Sequence, residues 1–158
     1  MQGLKRVGSI KSSNIYSDIK VSQDFVDIVK KYGEQFSKFV TAVNPYRLLG
    51  NASTRRAEGF PAQKIDDYIL VTKRNVDKET LSTEDFVVVD TGDVDKVVKY
   101  YGENKPSVDT PIQIKLFSHF KNIKYMIHGH AYIENAEFTH SKIPCGFIEE
   151  FNDIVLLS

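Results

Sequence analysis

Residues 105–130, KPSVDTPIQIKLFSHFKNIKYMIHGH, decide how this chain is read. The stretch predicts a turn, a helix carrying Asp109 in its first turn, and a buried strand, 125–130, ending in His128-Gly129-His130. Residues i and i+2 of a strand face the same side. Two imidazoles would therefore stand side by side, and Gly129 between them lets backbone approach closely. Two neutral imidazoles plus a carboxylate suit a divalent transition metal, most simply Zn²⁺ with an open position. Asp109 is the carboxylate assigned to that site. A bare H-x-H taken alone is more often a pair of ordinary strand-end histidines. The neighbouring segments move the reading to a metal pair.

Working back towards the N-terminus, residues 86–90 (FVVVD) are β-branched and almost wholly apolar, which predicts a buried strand. Residues 68–72 and 97–101 predict two more, giving a β-meander, with a polar turn at 73–75 and a short helical turn within 77–84. Asp90-Thr91-Gly92 matches a short aspartic-protease motif, but such an enzyme needs two carboxylates sharing a proton. Residues of this type between strands are ordinary hairpin chemistry. Residues 46–56 (YRLLGNASTRR) form an apolar run broken by a turn at Gly50-Asn51-Ala52-Ser53. The free amides and hydroxyl of such a turn could cradle a phosphate, and it is equally a plain hairpin turn. Phe25, Val29, Tyr32, Phe36, Phe39, Val40 and Val43 recur at helical steps, until Asn44-Pro45 stops the helix. Residues 1–20 read as an irregular arm with room for a short strand. Downstream of the histidines, residues 131–141 are polar and aromatic. Ile143-Pro144-Cys145-Gly146, an acidic stretch at 149–153 and an apolar run at 154–157 follow. Within 105–120, Ser107 is the expected helix N-cap, and Ile112, Leu116 and Phe120 the buried stripe.

Composition narrows the function classes. A chain of 158 residues reads as one domain, 1–158, large enough for a core. Twenty-one basic residues balance 21 acidic ones, which argues against a nucleic-acid binder. No segment reads as a signal peptide or a spanning helix, so no membrane role is expected. Cys145 is the sole cysteine, which allows no internal disulfide and makes a reducing cytoplasm the default. Alternating helices and strands predict an α/β fold with one central sheet.

An ordered set of pieces resembles the class II aldolase/adducin superfamily, with its L-ribulose-5-phosphate 4-epimerase and fuculose-1-phosphate aldolase branches. The pieces are Gly50-Asn51-Ala52-Ser53, the NVDKETLSTEDFVVVD run ending at Asp90, KPSVDTP at 105–111, HGH at 128–130 and Ile143-Pro144-Cys145. The resemblance implies a mainly antiparallel central sheet flanked by helices. It also implies a divalent metal, most simply Zn²⁺, held by His128 and His130. Asp109 would be a catalytic residue and a metal ligand, the latter as in the epimerase branch, where the aldolase branch has a glutamate that acts as acid/base and can touch the metal. Gly50, Asn51 and Ser107 would hold the anionic end of a sugar or sugar phosphate. The implied activity is a lyase or epimerase working through a metal-stabilised enediolate, in a homo-oligomer with its site at a subunit boundary. Three departures accompany it. Nothing here matches the family's third metal histidine, which lies on a later strand beyond the point corresponding to Ser158, so that the family's C-terminal part is absent; His140, or His119 from a neighbouring subunit, is a stand-in. Val108 replaces a serine. Arg74-Asn75 replaces a Ser/Thr-Gly turn, and Arg74 can supply charge to a phosphate instead. The rival expectation is a non-catalytic, adducin-like scaffold or ligand-binding module; a purely structural metal site is a more distant third, because such sites normally take four protein ligands.

Overall fold

The structure is a computed structural model that describes residues 4–13, 19–31, 51–55 (backbone), 68–129, 135–144 and 146–158. Its frame is a six-stranded sheet in the order β1-β5-β4-β3-β2-β6. The strands are β1 (Gly8–Ser12), β2 (Asn51–Arg55), β3 (Tyr68–Thr72), β4 (Phe86–Asp90), β5 (Val97–Tyr101) and β6 (Tyr125–His128). All pairings are antiparallel except β1 on β5. This is the mixed α/β arrangement, with a mainly antiparallel central sheet and flanking helices, that the sequence predicts.

The three strands of the meander form where the apolar runs place them, and the reason is burial on both faces. Alternate residues of a strand point to opposite sides. Tyr68, Leu70, Val88 and Tyr101 pack with Phe25, Val26 and Val29 of helix α1 (Gln23–Lys31). Ile69, Val71, Val87, Val89, Val98 and Tyr100 pack on the other face with Ile114 and Phe117 of helix α2 (Thr110–His119). Strands sandwiched this way need apolar residues at every position, and all five residues of β3 are buried. Helix α1 begins after Ser22, whose hydroxyl accepts from the Phe25 amide at 3.3 Å. The rest of the long stripe foreseen through Val43, and its proline stop, lie outside the described residues. None of the described helices is long and apolar enough to cross a membrane.

Three expectations are corrected. Asn51, Ala52 and Ser53 begin strand β2 rather than a turn. This strand lies between β3 and β6, and bonding on both edges outweighs the local turn preference of Asn and Ser. Second, α2 starts at Thr110, so Ser107 is not its N-cap; Asp109 occupies that position without a side-chain cap bond. The Ser107 amide is already committed to the Thr72 carbonyl at 3.0 Å, and Thr110 closes a turn back onto Ser107. Third, β6 is an edge strand with Tyr125 and Ile127 exposed, not a buried one. The acidic and apolar runs near the C-terminus, which the sequence reading leaves without an element, together form helix α3 (Glu150–Leu156).

The arm at the N-terminus does contain a strand, β1, and it also fastens α3. The Ile148 amide donates to the Lys5 carbonyl at 3.2 Å, and the Lys5 amide to Glu149 Oε1 at 2.7 Å. Before α3, Gly146 turns with φ of 82° and lies so close to the loop ahead of α2 that an added Cβ would sit 2.9 Å from the Val108 carbonyl oxygen. A side chain there meets both a left-handed backbone and a backbone clash. Gly146→Ala should therefore lower stability by roughly 1–3 kcal/mol, read from denaturant unfolding. An unchanged midpoint would show that α3 does not need this close approach.

Candidate functional site

The sheet register gathers the candidate residues at one end. His128, the last residue of β6, pairs with Asn51, the first of β2. Ser53 pairs with Val71, so continuing that register two residues carries Asn51 to the level of Lys73, just beyond β3. The loop ahead of α2 closes over this end. Lys73 bridges to Pro106, the Arg74 amide donates to Lys105 O at 3.0 Å, and Ser107 N donates to Thr72 O at 3.0 Å. Asp109 is the residue this loop delivers to β6.

Its carboxylate meets His128. Nδ1 of His128 lies 3.1 Å from Asp109 Oδ2, with Asp109 largely buried and the imidazole about a third exposed. Burial works against a charge on His128, but the hydrogen bond and the charge of Asp109, aided by Glu150, outweigh it and raise the imidazole above its ordinary value of 6.5. Glu150, half-buried at the start of α3, is raised in turn by burial and by the charge of Asp109, with His128 partly opposing. Lys78 is the fourth charge here. It is 3% exposed, its Nζ donates to the Val76 carbonyl at 2.8 Å, and burial pulls it down from 10.5 to about 8 against the opposing pull of Asp77. Neither Lys78 nor Glu150 stands out in the sequence. Both lie in polar segments where nothing but the fold reveals their burial.

Arg74 and Ser107 come together as a second pair. They line a shallow, open cleft whose walls include Val7 and Ser9 of the N-terminal arm, Val98 of β5 and Val108. Arg74 Nε is held by the Pro106 carbonyl at 3.0 Å, which fixes the guanidinium against the loop. Asp109 and His128 are not among the walls of that cleft. Of the remaining candidates, Gly50 and His130 lie outside the described residues, as does Cys145, and Asn51 is placed by its backbone alone. His140 is exposed. His119 is exposed on α2, its ring edge-on to Phe120 and Phe151. Among the described residues, no three His, Cys, Asp or Glu side chains converge as a metal cage.

The donor chemistry of the His128–Asp109 pair fits a divalent metal. Two donors each about 2.0–2.1 Å from one tetrahedral zinc stand about 3.3 Å apart, close to the observed 3.1 Å. The same contact also suits a carboxylate that orients a ligating imidazole from behind. Either way, His128 is the described residue that would hold the ion, with Asp109 beside it as ligand or as the group that orients its ring.

Comparison with known proteins comes to the same class. A family profile described as the Class II Aldolase and Adducin N-terminal domain matches residues 46–144. The chain belongs to the class II aldolase/adducin family. Among solved structures it is similar to an L-fuculose 1-phosphate aldolase at 22% identity and a TM-score of 0.45, over 71% of this chain and 46% of that one. The chain thus spans about half the length of that relative. No curated protein sequence matches it.

Two outcomes follow from the charges. The raised imidazole contributes stability that is fully present below pH 6.5 and is lost as pH rises through its folded value. In metal-free protein, the ring-proton NMR titration of His128 should have its midpoint above 6.5 and move down in Asp109→Asn; an unmoved midpoint would separate the two residues. Lys78 has the opposite sign, because folding disfavours its charge. The unfolded chain binds more protons between about 8 and 10.5, so stability rises with pH across that window. Lys78→Met should raise the melting temperature at pH 7, with the gain fading by pH 10.5. A loss of stability at pH 7 would contradict the burial of that charge.

Proposed function

We propose that this chain is a divalent-metal-dependent lyase or epimerase of the class II aldolase type, acting on a small sugar, sugar phosphate or hydroxy-carbonyl compound. The observation that carries the reading is the contact of His128 with Asp109 at the end of the sheet, made by a strand and a loop 19 residues apart in sequence. His128, Asp109 and His130 hold the ion, most simply Zn²⁺. When bound, the metal supplies Lewis acidity towards carbonyl and hydroxyl oxygens of the substrate. The protein's own groups do the rest. Asp109, its carboxylate set against His128 at 3.1 Å, is the group that takes up or returns a proton at the substrate. Arg74 and Ser107, with Gly50 and Asn51 at the start of β2, take the anionic end of the substrate. The resemblance also supports a homo-oligomer in which a neighbouring copy completes the site.

Elemental analysis of the purified protein beside His128→Ala/His130→Ala tests this reading. The expected result is about one equivalent of zinc, manganese or cobalt per chain, lost in the double variant, together with chelator-sensitive cleavage or epimerisation of a sugar phosphate. A folded protein that takes up no metal from excess zinc would contradict the reading and leave a non-catalytic, adducin-like scaffold.

A further inference from the structure

Arg74 and Ser107, assigned above to the anionic end of the substrate, line a cleft that Asp109 and His128 do not share, so a negative group closer to His128 would need a further cation. Lys78 is the lysine whose charge acts on that imidazole. The segment after β3 leaves the sheet at the same end as His128, as the register shows. It is firmly built: Val76 and Leu81 are both buried in the core packed on α1. Asp77 Oδ1 accepts from the Glu79 amide at 2.9 Å, and Ser82 and Asp85 cap the 3₁₀ turn that follows. Between these anchors the Lys78 side chain runs inward, not out to water as surface lysines do. An ammonium has three donors, and among the described residues Lys78 gives one, to Val76 O, and makes no ion pair. Its charge reaches His128. A buried cation without a carboxylate partner costs stability, and groups arranged at such cost concentrate where charge is handled.

We propose that Lys78 is a ligand-binding residue, whose ammonium pairs with an anionic oxygen (phosphate or carboxylate) of the molecule bound at the His128 end. This rests on the proposed function for the identity of the molecule, but not for the anion contact itself. Binding of the anion would supply a partner that the described residues do not. The same cation would favour negative charge developing on a substrate oxygen.

Calorimetric titration with inorganic phosphate, and in parallel with oxalate as the carboxylate, tests the proposal on wild type, Lys78→Met and Arg74→Met, each with and without zinc. The expected result is at least a tenfold loss of affinity for one of the two anions in Lys78→Met, with zinc uptake retained and thermal stability not reduced. The anion affected identifies the group recognised. Should the protein take up no zinc, the metal reading fails while a Lys78-dependent anion site still stands. Equal affinity in wild type and Lys78→Met, loss confined to Arg74→Met, or no anion binding by wild type would each overturn the proposal. In case Lys78→Met does not fold, the ¹H–¹³C signals of the lysine Cε in wild type give a second reading. The Lys78 signal moves on anion addition if the proposal is right, and stays fixed if it is wrong.

Discussion

The end of β3 grips the loop ahead of α2, and the site exists because of that grip. Thr72 O takes the Ser107 amide, Lys105 O takes the Arg74 amide, and Lys73 bridges to Pro106. A buried strand end must satisfy its backbone groups, and here the loop does so in place of another strand. Everything beyond follows from this attachment. It delays α2 to Thr110, puts Asp109 at the helix start with its carboxylate towards β6, and turns Arg74 onto Pro106. Gly146 then seats α3 against Val108, which brings Glu150 within electrostatic reach of Asp109 and His128.

The charges assembled there sit in tension. Asp109 and Glu150 favour a proton on His128, whereas burial and Lys78 oppose it. A group of two cations and two anions, mostly withdrawn from water, gains little for folding, because desolvation offsets the attraction. Lys78 in particular is held at a cost, with one carbonyl as its acceptor among the described residues. Such an arrangement makes more sense as preparation for a ligand than as structural reinforcement. A divalent cation would satisfy the carboxylates, and an anionic oxygen would satisfy the lysine.

What was legible in the sequence was what local pattern decides. Residues 68–72, 86–90 and 97–101 announce themselves as strands because burial on both faces demands unbroken apolar runs. Asp109 and His128 were legible as a pair only through the ordered motifs of the family, since 19 residues separate them. Tertiary context hid the rest. Asn51-Ala52-Ser53 has turn chemistry and becomes a strand because neighbours bond it on both sides. The apolar 125–128 looks buried, yet among the described residues it is the last strand of the sheet, with Tyr125 and Ile127 exposed. Ser107 looks like a helix cap and is instead consumed by the grip of β3. Lys78 and Glu150 carry no motif at all; burial by a distant part of the chain is what sets them apart.

The central claim is that the end of the sheet binds a divalent metal through His128 beside Asp109. Anomalous diffraction at the zinc edge, from crystals of the zinc-loaded protein, tests it most directly. The account predicts one strong peak about 2.0–2.1 Å from an imidazole nitrogen of His128, with the Asp109 carboxylate either on the ion or hydrogen-bonded to that ring. A zinc-saturated crystal with its peak elsewhere, or with none, would contradict it.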